Sequence, residues 1–106
     1  MSRSDETRLR DVLAALDAID AHTTRGSLDD GLVFDAVRAR LIEIGEAVKG
    51  LSDDVRATAP GIPWGEVAGM RDFLAHRYFD ASHAIVEHTV TRDLPELRRT
   101  VTGLLG

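Results

Sequence analysis

Within the stretch Gly69–Asp80, GMRDFLAHRYFD, an arginine, a histidine and a tyrosine fall inside eight residues: Arg71, His76 and Tyr78, with an acid, Asp72, beside the first. A guanidinium holds a phosphate through two parallel hydrogen bonds and stays charged at any physiological pH. An imidazole takes up and releases a proton near neutrality. A phenol hydroxyl donates, accepts or is modified. These side chains form a kit for phosphodiester chemistry that calls on no metal ion.

The elements that must position this kit are helical. Leu9, Val12, Leu13, Leu16 and Ile19 recur at three- and four-residue steps, the stripe of a first helix. Thr23 to Ser27 reads as a loop, and Asp29 or Asp30 as the N-cap of a second helix. In that helix Phe34, Val37, Leu41, Ile44, Val48 and Leu51 form a bundle seam, and Gly50 suits its end. Asp53 to Pro63 is turn-rich, with a helical turn near Asp54–Thr58, and Pro63 suits the first turn of a third helix. Trp64, Val67, Met70 and Leu74 are its stripe, which puts the chemical motif in its C-terminal half. A fourth helix starts near Asp80 or Ser82, with Ala84, Ile85 and Val86 as apolar positions. It should bend or restart near Arg92–Pro95, because Pro95 lacks a donor and clashes one turn back. Leu94, Leu97, Val101, Leu104 and Leu105 continue the stripe. With no strand pattern, the expected fold is all-α: an up-and-down bundle of four to five helices, one domain over residues 1–106.

On a continuous helix Asp72 and His76, four apart, share a face, so the carboxylate can orient the imidazole and stabilise its charged form. Arg71 and Tyr78, two turns apart, are roughly aligned. Arg71 and His76, five apart, point about 140° away from each other. They bracket a ridge rather than enclose a pocket. Two such ridges across a two-fold axis would bring two arginines and two histidines into one groove, which favours a homodimer with a composite site.

Composition narrows the function further. The chain has 106 residues, 43% apolar and 29% charged, the profile of a globular domain. It has no cysteine, which excludes disulfides, thiolate catalysis and cysteine-held metal centres. The charged N-terminus carries no leader pattern and no apolar run is long enough to span a membrane, so a cytoplasmic protein is expected. A net charge of −5 does not suit sequence-blind nucleic-acid binding. Any RNA contact should be a local arginine patch, since all thirteen basic residues but Lys49 are arginine.

Each feature also has an ordinary reading. Arg71 and Asp72 can be a solvated salt-bridging face, and Tyr78 and Phe79 packed aromatics at a helix end. Glu43 and Glu46 read as solvated, although Glu46 can instead face a polar spot in the bundle. His22, His83 and His88 offer no helical pair at four-residue spacing and no cysteine partner, so no metal site is expected.

The residues taken together resemble the HepT-like toxins of the HEPN superfamily. Those proteins carry an arginine, four residues, a histidine, one residue and a tyrosine, which Arg71, His76 and Tyr78 match. Supporting blocks are Ile44-Gly45-Glu46-Ala47, Gly69-Met70-Arg71 and Asp93-Leu94-Pro95-Glu96-Leu97, in an order that covers roughly residues 5–105. Asp72 stands where the family often has asparagine; the extra charge would favour protonated His76. The resemblance implies a metal-independent endoribonuclease of a type VII-like toxin–antitoxin pair. It needs no cofactor, dimerises to build the cleft, and has Arg71 and His76 as catalytic residues supported by Asp72. It also implies a small nucleotidyltransferase antitoxin as partner, which would silence the toxin by transferring AMP to Tyr78. An idle HEPN module that binds nucleotides or docks a nucleotidyltransferase is the competing expectation, and a plain dimerisation bundle a third.

Overall fold

The computed structural model describes the backbone of residues 1–75 and 79–106, and the side chains of all of these but 79–82. Six α-helices follow one another: α1 (Arg3–Thr23), α2 (Gly31–Lys49), α3 (Asp53–Thr58), α4 (Trp64–Ala75), α5 (Phe79–His88) and α6 (Leu94–Leu105). A π-helical turn, Thr89–Asp93, joins the last two. No strand occurs among the described residues, and the fold is the expected all-α bundle. None of the described helices is long and apolar enough to cross a membrane.

The apolar stripes become the core. Leu9, Val12, Leu16 and Ile19 of α1 are buried, as are Phe34, Val37, Leu41, Ile44 and Val48 of α2. Helix α2 is central: it packs against both α1 and α4. In α4 only Trp64 and Leu74 are fully buried, while Val67 and Met70 stay half-covered. In α5 the expected apolar run is mostly exposed. Val86 is buried, whereas Ile85 keeps 43% of its surface in solvent.

Local chemistry fixes the ends. Asp30 caps α2, its carboxylate accepting from the Leu32 N–H at 2.9 Å. Gly50 ends α2 with ordinary right-handed angles, φ −88° and ψ −1°. Its missing side chain leaves room for a neighbour: the Arg8 guanidinium lies where a Cβ would stand. Arg56 donates to the Val48 and Lys49 carbonyls at 2.9 and 3.0 Å, satisfying two of the last acceptors of α2. Trp64 folds the connection before α4 back on itself through its indole N–H, 2.9 Å from the Ala59 carbonyl. Pro63 precedes α4 by one residue, and its carbonyl accepts from the Glu66 and Val67 N–H groups, both at 3.0 Å.

The last helices follow the expectation in outline. Helix α5 is described from Phe79, beside the expected start near Asp80. Near Pro95 the helix restarts as expected, α6 beginning at Leu94 with Pro95 in its first turn, and the join is a π turn rather than a break. Proline removes one backbone donor and crowds the carbonyl four residues back, and the π turn at Thr89–Asp93 widens the helix just before it. The backbone stays right-handed through His88, Asp93 and Leu94.

One buried acid joins the starts of α1 and α3. Ser2 caps α1 and Ser52 caps α3. Between them sits Asp5, only 4% exposed. Its carboxylate accepts from the Ser52 N–H at 2.9 Å, the Ser52 hydroxyl at 2.8 Å and the Ser2 hydroxyl at 3.0 Å. The Ser52 amide above all, then the Ser52 hydroxyl, hold the Asp5 pKa below its ordinary value, against the opposing effect of burial. A carboxyl with a depressed folded-state pKa stabilises the fold above its unfolded pKa, about 3.9, and loses that contribution as pH falls through the folded value. Asp5→Asn should therefore melt below the parent protein at pH 7. The gap in melting temperature should close as the pH is taken down from 5 to below 4, as read by circular dichroism; a gap that stays constant would mean that the Asp5 charge is not what the serines hold.

Candidate active site

The position of Arg71 is set by the crossing of α2 and α4. A Cβ built at Gly45 would stand 3.1 Å from both the Arg71 backbone nitrogen and the Val67 carbonyl oxygen, and 3.3 Å from the Arg71 Cβ. Only glycine lets the two backbones approach this closely without a shift. The crossing brings Arg71 out beside the next residue of α2, Glu46, and the two side chains form an ion pair. On its other side the guanidinium reaches Asp72, Nη1 to Oδ1, at 3.2 Å. The Arg71 side chain is 44% exposed, so it faces solvent while bound by two carboxylates.

A second arginine of α2 fixes the far end of α4. Arg38 donates its Nε–H to the Leu74 carbonyl at 3.0 Å. Arg38 therefore ties the last described turn of α4 to α2. The next residues in the chain include His76 and Tyr78, and both lie outside the described residues. The expected pairing of Asp72 with His76 lies outside them too; what the structure places at Asp72 is Arg71.

Glu46 and Arg38 are the two residues at this site with the weakest signal in the sequence. Glu46 reads as a solvated acid, and at 55% side-chain exposure it is largely so, yet it is also the partner of Arg71. The available hint is Gly45, because a glycine inside a strong helix pattern marks a close approach. Arg38 reads as an ordinary surface arginine until its acceptor, thirty-six residues away, is known.

The groove beside Arg71 is open, about 650 Å³, and runs over α1 and α2. Its charged lining alternates: Arg8, Arg40 and Arg71 with Asp11, Glu43 and Glu46, above a floor that includes Ala15 and Ala47. A second cavity, about 400 Å³, is apolar and lies between α4 and the last helix, where Val67, Met70 and Phe73 face Ile85 and Leu97.

Two of the other histidines are fasteners, while His88 is exposed. His83 stacks on Phe34, ring centroids 5.7 Å apart and 12° from parallel. Its Nε2 lies 3.1 Å from the Leu28 carbonyl and 3.2 Å from the Asp29 carboxylate, tying α5 to the loop before α2. His22 accepts from Arg40 Nε at 3.3 Å. Among the described residues no three of His, Asp and Glu gather as a metal site would require.

Comparison with known proteins places this geometry. The chain is 37% identical over 103 residues to a protein of Thermococcus cleftensis named "Probable ribonuclease HepT", a match spanning 92% of this chain and 93% of that one. It is 35% identical over 95 residues to a "Putative RNase" of Methanocaldococcus jannaschii, covering 86% and 82% of the two chains. A shorter match, 44% over 62 residues, links it to a "Putative RNase" of Caldanaerobacter subterraneus; it takes in 58% of this chain and 55% of that one. No solved structure matches with significance. The profile described as "Ribonuclease HepT-like" matches residues 9–104, which include the Gly45 crossing, Glu46 and the whole stretch from Arg71 to Tyr78, and the chain belongs to the HepT-like ribonuclease family.

Proposed function

We propose that this protein is a metal-independent endoribonuclease, the toxin of a toxin–antitoxin pair, which acts in the cytoplasm as a homodimer of a single HEPN-like domain. The observation that carries the reading is Arg71: a solvent-facing guanidinium, fixed by a glycine crossing at the edge of an open groove, five residues before a histidine. The names of the relatives support RNA as the substrate.

In the proposed reaction His76 accepts the proton of a ribose 2′-hydroxyl. The freed oxygen attacks the adjacent phosphorus, the bond to the 5′-oxygen breaks, and a protonated imidazole returns the proton to that leaving oxygen. Arg71 stabilises the charge that builds on the phosphorane, where a fixed cation has most effect. Asp72 orients His76. A carboxylate accepts at about four lone-pair sites, so its bond to Arg71 leaves capacity for an imidazole.

The dimer rests on two arguments. On a continuing helix Arg71 and His76 diverge by about 140° and need a second copy to close a pocket. The apolar cavity beside α4, with Ile85 exposed at its rim, offers that copy a surface to cover. Light scattering at micromolar concentration should return twice the chain mass; a monomer that still cleaves RNA would refute the composite site.

The competing reading, an idle module that binds nucleotides or docks a nucleotidyltransferase, draws on the two carboxylates that occupy Arg71. Cleavage separates the two. His76→Ala should reduce RNA cleavage about 10²–10⁴-fold and Arg71→Ala about 10²–10³-fold, with unchanged helical content. Cleavage by the parent should persist in excess EDTA. If EDTA abolishes it and magnesium restores it, the metal-independent chemistry is wrong.

Silencing is proposed to act on Tyr78, the one tyrosine of the chain. Its hydroxyl would attack the α-phosphorus of ATP on a partner nucleotidyltransferase, taking AMP and releasing pyrophosphate. The adduct would set a negative phosphodiester in the groove that must accept RNA. Incubation with the partner and ATP should raise the mass by one or more AMP units, carried on the peptide containing Tyr78. Tyr78→Phe should block the gain; a Tyr78→Phe protein that is still fully modified would sink the assignment.

A further inference from the structure

The groove beside Arg71 contains an arginine that the catalytic reading leaves unused. Arg8 lines it from α1. Among the described arginines, Arg10, Arg40, Arg71 and Arg98 are paired with acids, and Arg38 and Arg56 donate to carbonyls. Arg3, Arg25, Arg92 and Arg99 have no partner among the described residues and are exposed, where water serves them. Arg8 and Arg56 are both partly buried with an Nε sealed from solvent without a partner, but Arg56 donates elsewhere, whereas Arg8 makes no ion pair or hydrogen bond with any described residue.

A donor such as the Arg8 Nε that is cut off from water without a partner is costly, because it has lost a hydrogen bond and gained none. Asp11 lines the same groove one turn along α1 yet does not pair with it. The fold nevertheless reserves the position. The Arg8 guanidinium lies over Gly50 where a side chain would displace it, and the backbone angles of Gly50 do not otherwise require glycine. A seat kept clear for a cation that has no internal anion suits an external one.

Helix α2 gives the direction. Gly45 adjoins Arg71 and Gly50 adjoins Arg8; five residues apart on α2, they differ by about 7.5 Å of rise and about 140° around the axis, so the two arginines approach α2 from different sides and meet in the open groove that both line. A strand whose reacting phosphate sits at Arg71 and which follows that groove would reach Arg8. We infer that Arg8 is an RNA-binding residue that holds a phosphate flanking the scissile one, so that the substrate track runs from Arg71 across α2 to α1. The inference rests on the ribonuclease reading. It assigns Arg8 to binding and not to bond cleavage.

The test uses the full-length protein and a short single-stranded RNA, with KM and kcat measured over a series of salt concentrations. Arg8→Gln should raise KM about tenfold with kcat within a few-fold of the parent. The slope of log KM against log salt should shallow by about 0.7, the loss of one phosphate contact on a single strand. Arg8→Lys, which keeps the charge but not the fork, should fall between. Gly50→Ala keeps the arginine and displaces it, so it should shift KM in the same direction, and it decides the matter if Arg8→Gln fails to fold. If the parent cleaves RNA while Arg8→Gln and Gly50→Ala keep its KM and salt slope, Arg8 is a packing residue and the inference is overturned. If the variants instead change the mass seen by light scattering, Arg8 serves an interface between copies and the inference is equally overturned. A parent protein that neither binds nor cleaves RNA removes the ribonuclease reading, and the inference falls with it.

Discussion

The close crossing of α2 and α4 at Gly45 is the constraint on which the site depends. Two helices normally pack 8–10 Å apart, axis to axis, because side chains stand between them. At Gly45 no side chain intervenes, and the backbone of Arg71 rests against α2. The guanidinium is thereby delivered to a place that the helix itself could not specify. It emerges next to Glu46, which cannot avoid meeting it, since Glu46 is the residue after the crossing. Arg38, seven residues earlier on α2, holds the Leu74 carbonyl and so ties α4 a second time, nearer its end. Two fastenings on one rigid, buried helix fix both the placement and the rotation of α4. A catalytic cation needs both, because misplacement by about 1 Å is costly to a reaction that relies on orientation.

The electrostatics follow from the same economy of contacts. With a net charge of −5, the chain cannot offer a broad positive field to a polyanion. Several of its arginines are spent on its own acids: Arg10 on Glu6, Arg40 on Glu43, Arg98 on both Asp17 and Asp20. Such exposed pairs contribute about 0.2–1 kcal/mol each and are weakened by salt. The Arg98 pairs tie α6 to α1 at the surface; the buried apolar positions of both helices do most of the joining. Of the described arginines without an internal partner, only Arg8 lines the groove beside Arg71, and affinity there must come from a few directed contacts rather than from diffuse attraction.

How legible this was in the sequence varies with the range of the physics. Helix stripes, the Asp30 cap and the turn-rich Asp53–Pro63 segment depend on neighbours within a few residues, and the structure has them where spacing puts them. Pro95 announced a disturbance but not its form: a missing donor permits a kink, a break or a π turn, and the choice is made by what the helix packs against. Asp5, an acid in the first turn of α1, is also the buried acceptor for Ser52, forty-seven residues on, a role with no local signal. Glu46 and Arg71 are twenty-five residues apart, Arg38 and Leu74 thirty-six. Pairs like these are products of the crossing, and Gly45 is their only local trace. The motif residues Arg71, His76 and Tyr78 stood out by type and spacing; of these, the structure describes Arg71 and its acids, while His76 and Tyr78 lie outside the described residues.

The double occupation of Arg71 bears directly on how a nuclease of this kind would work. A guanidinium presents five donors in a fixed fork. Glu46 and Asp72 cannot both keep their bonds while a phosphate takes the same edges, so binding is an exchange of anions and not the filling of an empty site. Magnitudes decide whether the acids obstruct or assist. Each pair is exposed, at 55% and 71% of the acid side chains, and is therefore worth at most about 1 kcal/mol. A hydrogen bond to a charged group contributes about 1.5–3 kcal/mol, and a phosphorane carries more charge than a carboxylate and is met bidentately. The exchange thus favours the reacting phosphate. Until it occurs the acids hold the fork in one orientation, at little cost in affinity. They also set a threshold: a weakly held anion does not displace two carboxylates, whereas a strand anchored at a second point along the groove does.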